Sequence, residues 1–497
     1  MTEQPSEPSE PAEPSEPGLP FPLPSWLAAA LVVGTSAAVL VIELLAIRLL
    51  APYVGVTLDT YTAIIGTVLA GIAIGAWLGG VAADRLDPRR LIPPLLVVGG
   101  ALALATIPIV RVLGDGLQST TGAGVMILSA VAFLPSATVL SAVPPAVVKL
   151  QLRSLSETGA KVGQLSAWGT AGAIVATLLT GFVLVAIAAV TTLIVTVGVV
   201  LMVAGAVLWL TVGRATLHAQ FPVVGLAVVI AVTAGIGVVA IASPCEYETA
   251  YYCVSIDAEE SGSVLVLDDL RHSYVDLDDP THLEFWYVDR IGDLIDEQPP
   301  GPVGIAHIGG GALTLPRYVE AIRPGSEQVV FELDGELIDI VERELPLPRT
   351  EHIDIRTEDA RVGLAALDDG TADIVVGDAF SSRAVPWHLT TTEFADEIDR
   401  VLDDDGIYAL NVIDRGEGRF VRAIARTLAE RFEVTVILGP NAAEGRLGNS
   451  LVVASKRAIT IDGPFDGGVV VDDIESFVDG AQLLTDDYAP VDQLIAR

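Results

Sequence analysis

Basic residues, cysteine and histidine are all scarce in this sequence, and each shortage closes off a class of function. Only 28 lysines and arginines stand against 63 aspartates and glutamates, a formal charge of −35. Such a chain repels nucleic acid, so no phosphate-backbone partner is expected. Two cysteines, Cys245 and Cys253, cannot build a disulfide framework or a cysteine-rich metal site. Six histidines without an HExxH spacing leave no case for zinc, and no metal is assigned. The first residues lack both a basic region and a cleavage site, so they are not a secretory signal. Residues 1–25 are instead rich in Ser, Glu and Pro and read as a solvated, extended tail.

The acidity is unevenly placed. Residues 1–242 carry 9 basic and 11 acidic side chains, and the remaining 255 carry 19 and 52. Dense carboxylate with little lysine is what a surface kept soluble at high salt shows, so the acidity reports solvent rather than substrate. The apolar fraction belongs to the first half. Between Trp26 and Ala242 seven apolar segments are long enough to cross a bilayer: 26–51, 61–83, 91–112, 124–148, 163–187, 190–212 and 221–242. Gly71, Gly75 and Gly79 recur every four residues on the second, a packing seam. Pro144-Pro145 marks a broken helix end. Glu43 and Arg48 share the first segment but not one face; an acid at that depth is a candidate functional group, and Arg48 is expected to pair with a neighbouring helix. Arg85, Arg89, Arg90, Lys149, Arg153, Lys161 and Arg214 fall in alternate loops. The charge rule therefore puts the N-terminus in the cytoplasm and, after seven crossings, the rest of the chain outside.

From residue 243 the pattern changes. Runs at 250–256, 263–267 and 273–275 predict a small antiparallel meander within a β-region spanning 243–300. Cys245 and Cys253 flank its start; they pair if this region is outside and remain free thiols if it is not. Over 301–497 strands and helices alternate, as in a doubly wound α/β sheet. Val303–Ile308 predicts a buried strand, Gly309, Gly310 and Gly311 a tight turn, 313–322 a helix, and 328–331 a second strand that delivers Glu332. Glycines let a backbone approach a ligand closely, and an acid about 20 positions later can bind ribose hydroxyls. Thr314 stands where a third fingerprint glycine would be. Asp359 and Asp378 also fall at or just after strand ends, where ligands bind in such sheets. With Glu332 they form a constellation of three acids.

The stretches HIGGGALTLPRY, FELD, EDAR, ADIVVGDAF, HLTTTEF and LTDDYAPVDQL together resemble the spermidine synthase (polyamine aminopropyltransferase) family. With ELLAIRLLAPYVG and GAWLGGVAADR in the first two spans, the chain looks like members fused to a membrane region. The resemblance implies a multi-pass helical domain (26–242), a small β-domain and a Rossmann-like methyltransferase sheet. It implies a transferase moving an aminopropyl group from decarboxylated S-adenosylmethionine, a co-substrate rather than a tightly bound cofactor, to a small-molecule amine. Gly309, Gly310 and Gly311 would then cradle the nucleoside, with Glu332 and Asp334 at the ribose and Asp359 and Ala360 at the adenine. Asp378 would be the catalytic base, and His282, Glu284 and Tyr488 would meet the amine. Ala312, Ser381 and Tyr252 depart from the family pattern at positions that grip the donor amine and the diamine. Two other readings remain open: a methyltransferase-like enzyme using S-adenosylmethionine on the same fold, or a transporter or sensor whose soluble domain only binds a ligand. The expected partners are the lipid bilayer and the amine, with homo-oligomerisation left open.

Overall fold

The computed structural model describes residues 23–495 except 115, 117–121, 153–157, 213–216, 242, 269, 348–350, 381–384 and 458–466. Most of the tail, Arg153, Arg214 and Ser381 therefore lie outside the described residues.

The apolar half is helical: α1 (Ser25–Val54), α2 (Leu58–Arg85), α3 (Pro88–Gly114), α4 (Gly122–Ser141), α5 (Val143–Gln151), α6 (Thr158–Leu179), α7 (Val185–Ile187), α8 (Val190–Val212) and α9 (Leu217–Ala240). Among the described residues six spans are long and apolar enough to cross a membrane, with α4 and α5 counted together. The seventh expected segment is α9, whose described apolar stretch, Gly225–Ala240, is shorter. Prolines at the first turn of α5 separate it from α4, because proline is tolerated where no intrahelical N–H is needed. A π-helical turn, Thr180–Leu184, joins α6 to α7.

Small residues set the helix spacing. A Cβ at Gly75 would stand 2.2 Å from the Thr138 carbonyl oxygen, and one at Gly79 would stand 2.5 Å from that of Ala142. The glycine seam is thus where α2 meets α4 and α5, with backbones close enough for dispersion to hold them together. Arg111 ties α3 to its neighbours, donating to the carbonyls of Val238 (3.1 Å) and Ile241 (2.8 Å) and to the Thr191 hydroxyl (3.2 Å).

Beyond the helices, β1 (Tyr247–Glu248), β2 (Cys253–Ala258), β3 (Ser263–Leu267) and β4 (Leu270–Val275) form an antiparallel meander in the order 1-2-3-4. Cys245 and Cys253 are joined by a disulfide at its start. Helix α10 (Trp286–Asp296) follows.

The large sheet contains β5 (Ile305–Ile308), β6 (Gln328–Glu332), β7 (Ile353–Thr357), β8 (Ala372–Gly377), β9 (Leu402–Asp414), β10 (Glu433–Leu438), β11 (Gly448–Ser455) and β12 (Val469–Val470). Its order is 12-10-11-9-8-5-6-7. Strands 7-6-5-8-9 are parallel, and 11, 10 and 12 close one edge antiparallel. The central strands β5 and β8 are almost wholly buried and largely apolar because both faces are covered, whereas β7 at the edge is only partly buried. Ala306, Ile308 and Val375 pack on one face with α13 (Ala360–Ala365), α14 (Thr392–Val401) and α15 (Arg419–Leu428). Ile305, Ile374 and Val376 pack on the other with α10 and α11 (Thr314–Ile322). Phe394 and Ile398 of α14 are wholly enclosed, each contributing about 1.5–3 kcal/mol of transfer free energy. Helix α12 (Gly335–Glu344) presents Leu337 and Val341 to Val254 and Leu265 of the meander, which fixes that small sheet over the end of β6.

The chain passes from β5 outward to β6 and β7, then returns to place β8 on the other side of β5. The β5/β8 boundary is therefore the point at which strand order reverses, where open α/β sheets leave a crevice for ligands. Gly309 and Asp378 stand on either side of it.

Candidate active site

The glycine turn is shaped by what lies against it. Gly309 has φ +97, and a Cβ there would fall 2.6 Å from the Asp378 carbonyl oxygen. The Asp378 amide donates to the Ile308 carbonyl at 2.9 Å, so the end of β8 and the turn after β5 are locked backbone to backbone. Gly311, at φ +48, continues the left-handed path. Leu313 is also left-handed (φ 59) and delays α11 by one residue relative to the expected start.

Glu332, at the end of β6, reaches back under this turn. One carboxylate oxygen accepts from the amides of Gly310 (2.9 Å) and Gly311 (3.4 Å), and the other from Asp334 (3.0 Å). Burial raises its pKa, and these three amides counteract that. Asp334 is used differently. It caps α12 by accepting from the amides of Glu336 and Leu337, and its second oxygen takes the Thr249 hydroxyl. It stands beneath the site rather than in it.

Asp359 caps α13 and pairs with His388 Nε2 at 2.8 Å. The neighbouring Arg361 grips Asp486 through two bonds (2.8 and 2.6 Å), and Thr391 donates to the same carboxylate. Three stretches far apart in sequence are joined there. Tyr488, close to that junction, is 57% exposed and lines no cavity described here. His282 is held at the surface by Glu284 (3.3 Å). Only Glu284 of that pair reaches a cavity wall.

Asp378 occupies the centre. Its carboxylate accepts from Asn411 Nδ2 (2.8 Å) and the Tyr287 hydroxyl (3.1 Å), and Asn411 is in turn held by Asn449 (2.9 Å). Burial pushes the carboxyl up to about 7 against the opposing pull of those two donors. The environment therefore makes it a group that exchanges a proton near neutrality. Burial holds the neighbouring His272 down at about 4, so that imidazole is neutral at pH 7.

Two cavities meet at this carboxylate. The first, about 1000 Å³, is lined by Gly309, Gly311, Glu332, Asp359, Ala360 and Asp378, with Tyr251, Tyr252, Trp387 and His388. The second, about 490 Å³, lies across the glycine turn and includes Glu284, Tyr287, Asn411 and Asn449. His272, Gly309, Gly311, Asp378 and Phe380 belong to both. The three acids singled out in the sequence thus face one space. Ala312 lies in the apolar cluster behind the turn, its amide held by Ser273 Oγ at 3.1 Å. Tyr252 stays on the first cavity wall, donating its hydroxyl to the Phe380 carbonyl.

Several participants went unrecognised in the sequence. Asp268, in a left-handed turn after β3, also lines the first cavity, with burial raising its carboxyl to about 6, as do Glu248, Glu358 and Asp492 without that shift. Asn411 had a usable signal, since an amide inside the apolar run of β9 needs a buried partner. The expectation for Arg48 is corrected. Its guanidinium does not pair with another helix but donates to the Thr249 carbonyl of the soluble region. The physical reason is its place near the end of α1, where the chain after α9 folds back over the bundle. The series Arg48, Thr249, Asp334, Glu332 then runs from α1 to the glycine turn.

No family model matches the sequence. A polyamine aminopropyltransferase of Vibrio vulnificus is 31% identical over 114 residues, 22% of this chain and 38% of that protein. One from Chromobacterium violaceum is 24% identical over 196 residues, 39% of this chain and 74% of its own length. The crystal structure of a probable spermidine synthase from Corynebacterium glutamicum aligns with a TM-score of 0.46 at 25% identity, covering 50% of this chain and 99% of that one. The chain thus spans well under half of the first of these relatives and about three quarters of the second.

Proposed function

We infer that this chain, whose soluble region is spermidine synthase-like, is a membrane-anchored transferase that moves an aminopropyl group from decarboxylated S-adenosylmethionine to an amine. The observation that carries the reading is Asp378, a carboxyl raised to about 7 where two cavities meet. In this reading the first cavity holds the nucleoside against the glycine turn through Gly309 and Gly311, while Gly310 lines the second. Glu332 takes the ribose hydroxyls, and Asp359 with Ala360 flanks the adenine. The amine meets Asp378 where the two cavities join, beside Tyr287.

An amine is nucleophilic only once deprotonated, and a carboxylate at hydrogen-bond distance both holds the ammonium and takes its proton. Tyr287 and Asn411 fix the direction of that carboxylate. The nitrogen then forms its bond to the carbon beside the sulfonium, and the C–S bond breaks with its electron pair passing to sulfur. A sulfonium leaves without acid assistance, so alignment supplies much of the rate. The departures at Ala312 and Tyr252 bear on how the donor amine and the acceptor are gripped, not on this proton transfer.

The test is binding and turnover by the full chain: an adenosyl donor binds, and label in its aminopropyl group appears on an added diamine. A donor that does not bind defeats the reading. A second reading, a ligand-binding domain without turnover, draws support from the Cys245–Cys253 disulfide and the basic loops. Both favour a position outside the cytoplasm, away from the donor. Bound nucleoside with no transfer to any amine favours it.

A further inference from the structure

The first cavity does not stop at the soluble region. Beyond Glu332 and Asp359 it runs between the membrane helices, where Leu44, Ile47, Pro52 and Val185 form its walls. At about 1000 Å³ it reaches the top of the range that holds one small ligand, so a nucleoside at the acidic end leaves the membrane end open. The chemistry along it is graded. Acids line the soluble end. Arg48 and Arg111 line the boundary, with Glu248 beside them bonded to the Val190 amide, and a guanidinium offers five donors, so the bond from Arg48 to Thr249 leaves room for a phosphate oxygen. Deeper still lies Thr180, wholly buried on the cavity wall at the π-helical turn. Its hydroxyl has no hydrogen-bond partner among the described residues. An unsatisfied hydroxyl is costly in an apolar setting, and π turns inside helices recur at functional sites. Tyr61, Tyr251 and Trp387 stand partly exposed along the same cavity, as aromatic side chains do at a bilayer surface.

We propose that this cavity admits a membrane lipid as the acceptor, specifically a glycerophospholipid with a primary amine in its headgroup. The inference rests on the transferase reading and names its substrate class. The amine lies at Asp378, the phosphate at Arg48 and Arg111, an ester oxygen at the Thr180 hydroxyl, and the acyl chains between the helices. The headgroup ammonium gives its proton to Asp378, and the freed nitrogen forms a bond to the donor's propyl carbon. The C–S bond breaks with its pair going to sulfur, and the products are an N-aminopropylated lipid and a thioether nucleoside.

The full chain is placed in phosphatidylcholine nanodiscs with or without phosphatidylethanolamine and given donor labelled in the aminopropyl group. Donor binding is measured on the same samples. The expected result is label in the extracted lipid only when phosphatidylethanolamine is present. Bound donor with an unlabelled lipid phase overturns the lipid acceptor while leaving the transferase reading standing, whereas no bound donor overturns both. Thr180→Val should raise the KM for the lipid roughly fivefold through one lost hydrogen bond and leave the KM for the donor alone. An unmoved lipid KM overturns the placement of the lipid among the helices.

Discussion

Replacing Asp378 by Asn separates the chemistry of this carboxyl from its packing. The amide keeps the shape, and both partners adapt: Asn411 still donates to the remaining oxygen, and the Tyr287 hydroxyl turns to accept from the new N–H. What is lost is the ability to take a proton. General-base contributions are about 10²–10⁴ in rate, so turnover should fall by that much while nucleoside affinity holds. Stability should move in the opposite direction. The folded state raises this pKa from 3.8 to about 7, so between those values it binds more protons than the unfolded chain. Native stability is therefore full below about 4 and declines as pH rises through 7. Three units correspond to about 4 kcal/mol. The side chain lines two cavities and meets water there, which reduces the effect to about 1–2 kcal/mol. The variant should thus melt roughly 3–6 °C higher than the parent at pH 8 and at the same temperature near pH 4. Thermal unfolding at both pH values, beside a radiolabel transfer assay, measures the two halves. Turnover within a few-fold of the parent refutes the base assignment, and a stability change equal at both pH values refutes the burial argument.

The hydroxyl of Tyr287 holds the ionised form of Asp378, so Tyr287→Phe should move the acidic limb of the kcat/KM profile upward by about one pH unit, as the loss of a bond to a charged group implies; an unmoved limb would falsify that role. Gly309→Ala sets a Cβ 2.6 Å from the Asp378 carbonyl at a positive φ, and should cost about 1–3 kcal/mol together with nucleoside binding; both are read by thermal shift with and without the donor. Arg48→Met cuts the link from α1 to Thr249 and should weaken nucleoside binding roughly tenfold, the low end for one hydrogen bond from a charged group, without altering membrane insertion. Cys245 and Cys253 should react with an impermeant thiol reagent in intact cells only after reduction; labelling without reduction contradicts the disulfide.

The parts of this arrangement legible in the sequence were those with a period or a local rule behind them. Apolar runs bounded by turns located β5, β6 and β8. Strand-end position then gave Glu332, Asp359 and Asp378, because a parallel sheet delivers its residues to one edge. The glycine seam of α2 was equally plain, since every fourth position faces one neighbour. Nothing comparable announces Asp268, which arrives through a left-handed turn, or the pairing of Tyr287 with Asp378 across 91 residues. Asp334 shows the opposite failure. It shares a motif with Glu332, yet α12 starts there and its carboxylate caps the helix. Arg48 could not be placed from the first half of the chain alone, because its partner belongs to the second.

The geometry that joins the two halves also bears on which side of the membrane they meet. The soluble region bonds to Arg48 near the end of α1, to the Leu58 amide at the start of α2 through Asp492, and to the Val190 amide at the start of α8 through Glu248. If the long apolar helices cross a membrane in turn, these three points share one end of the bundle. Arg85, Arg89, Arg90 and Lys149 belong to the other end, where Lys149 meets Asp84 at 2.7 Å. The loop charges and the disulfide therefore make the same argument independently, one through insertion and one through redox compartment. A cytosolic donor argues against both. If reduction followed by an impermeant reagent labels Cys245 in intact cells, the region lies away from a cytosolic donor, and the donor-dependent reading weakens in favour of a ligand-binding domain. If the cysteines stay protected, the basic loops face outward, and the charge rule fails for this bundle rather than the transferase reading for its soluble region.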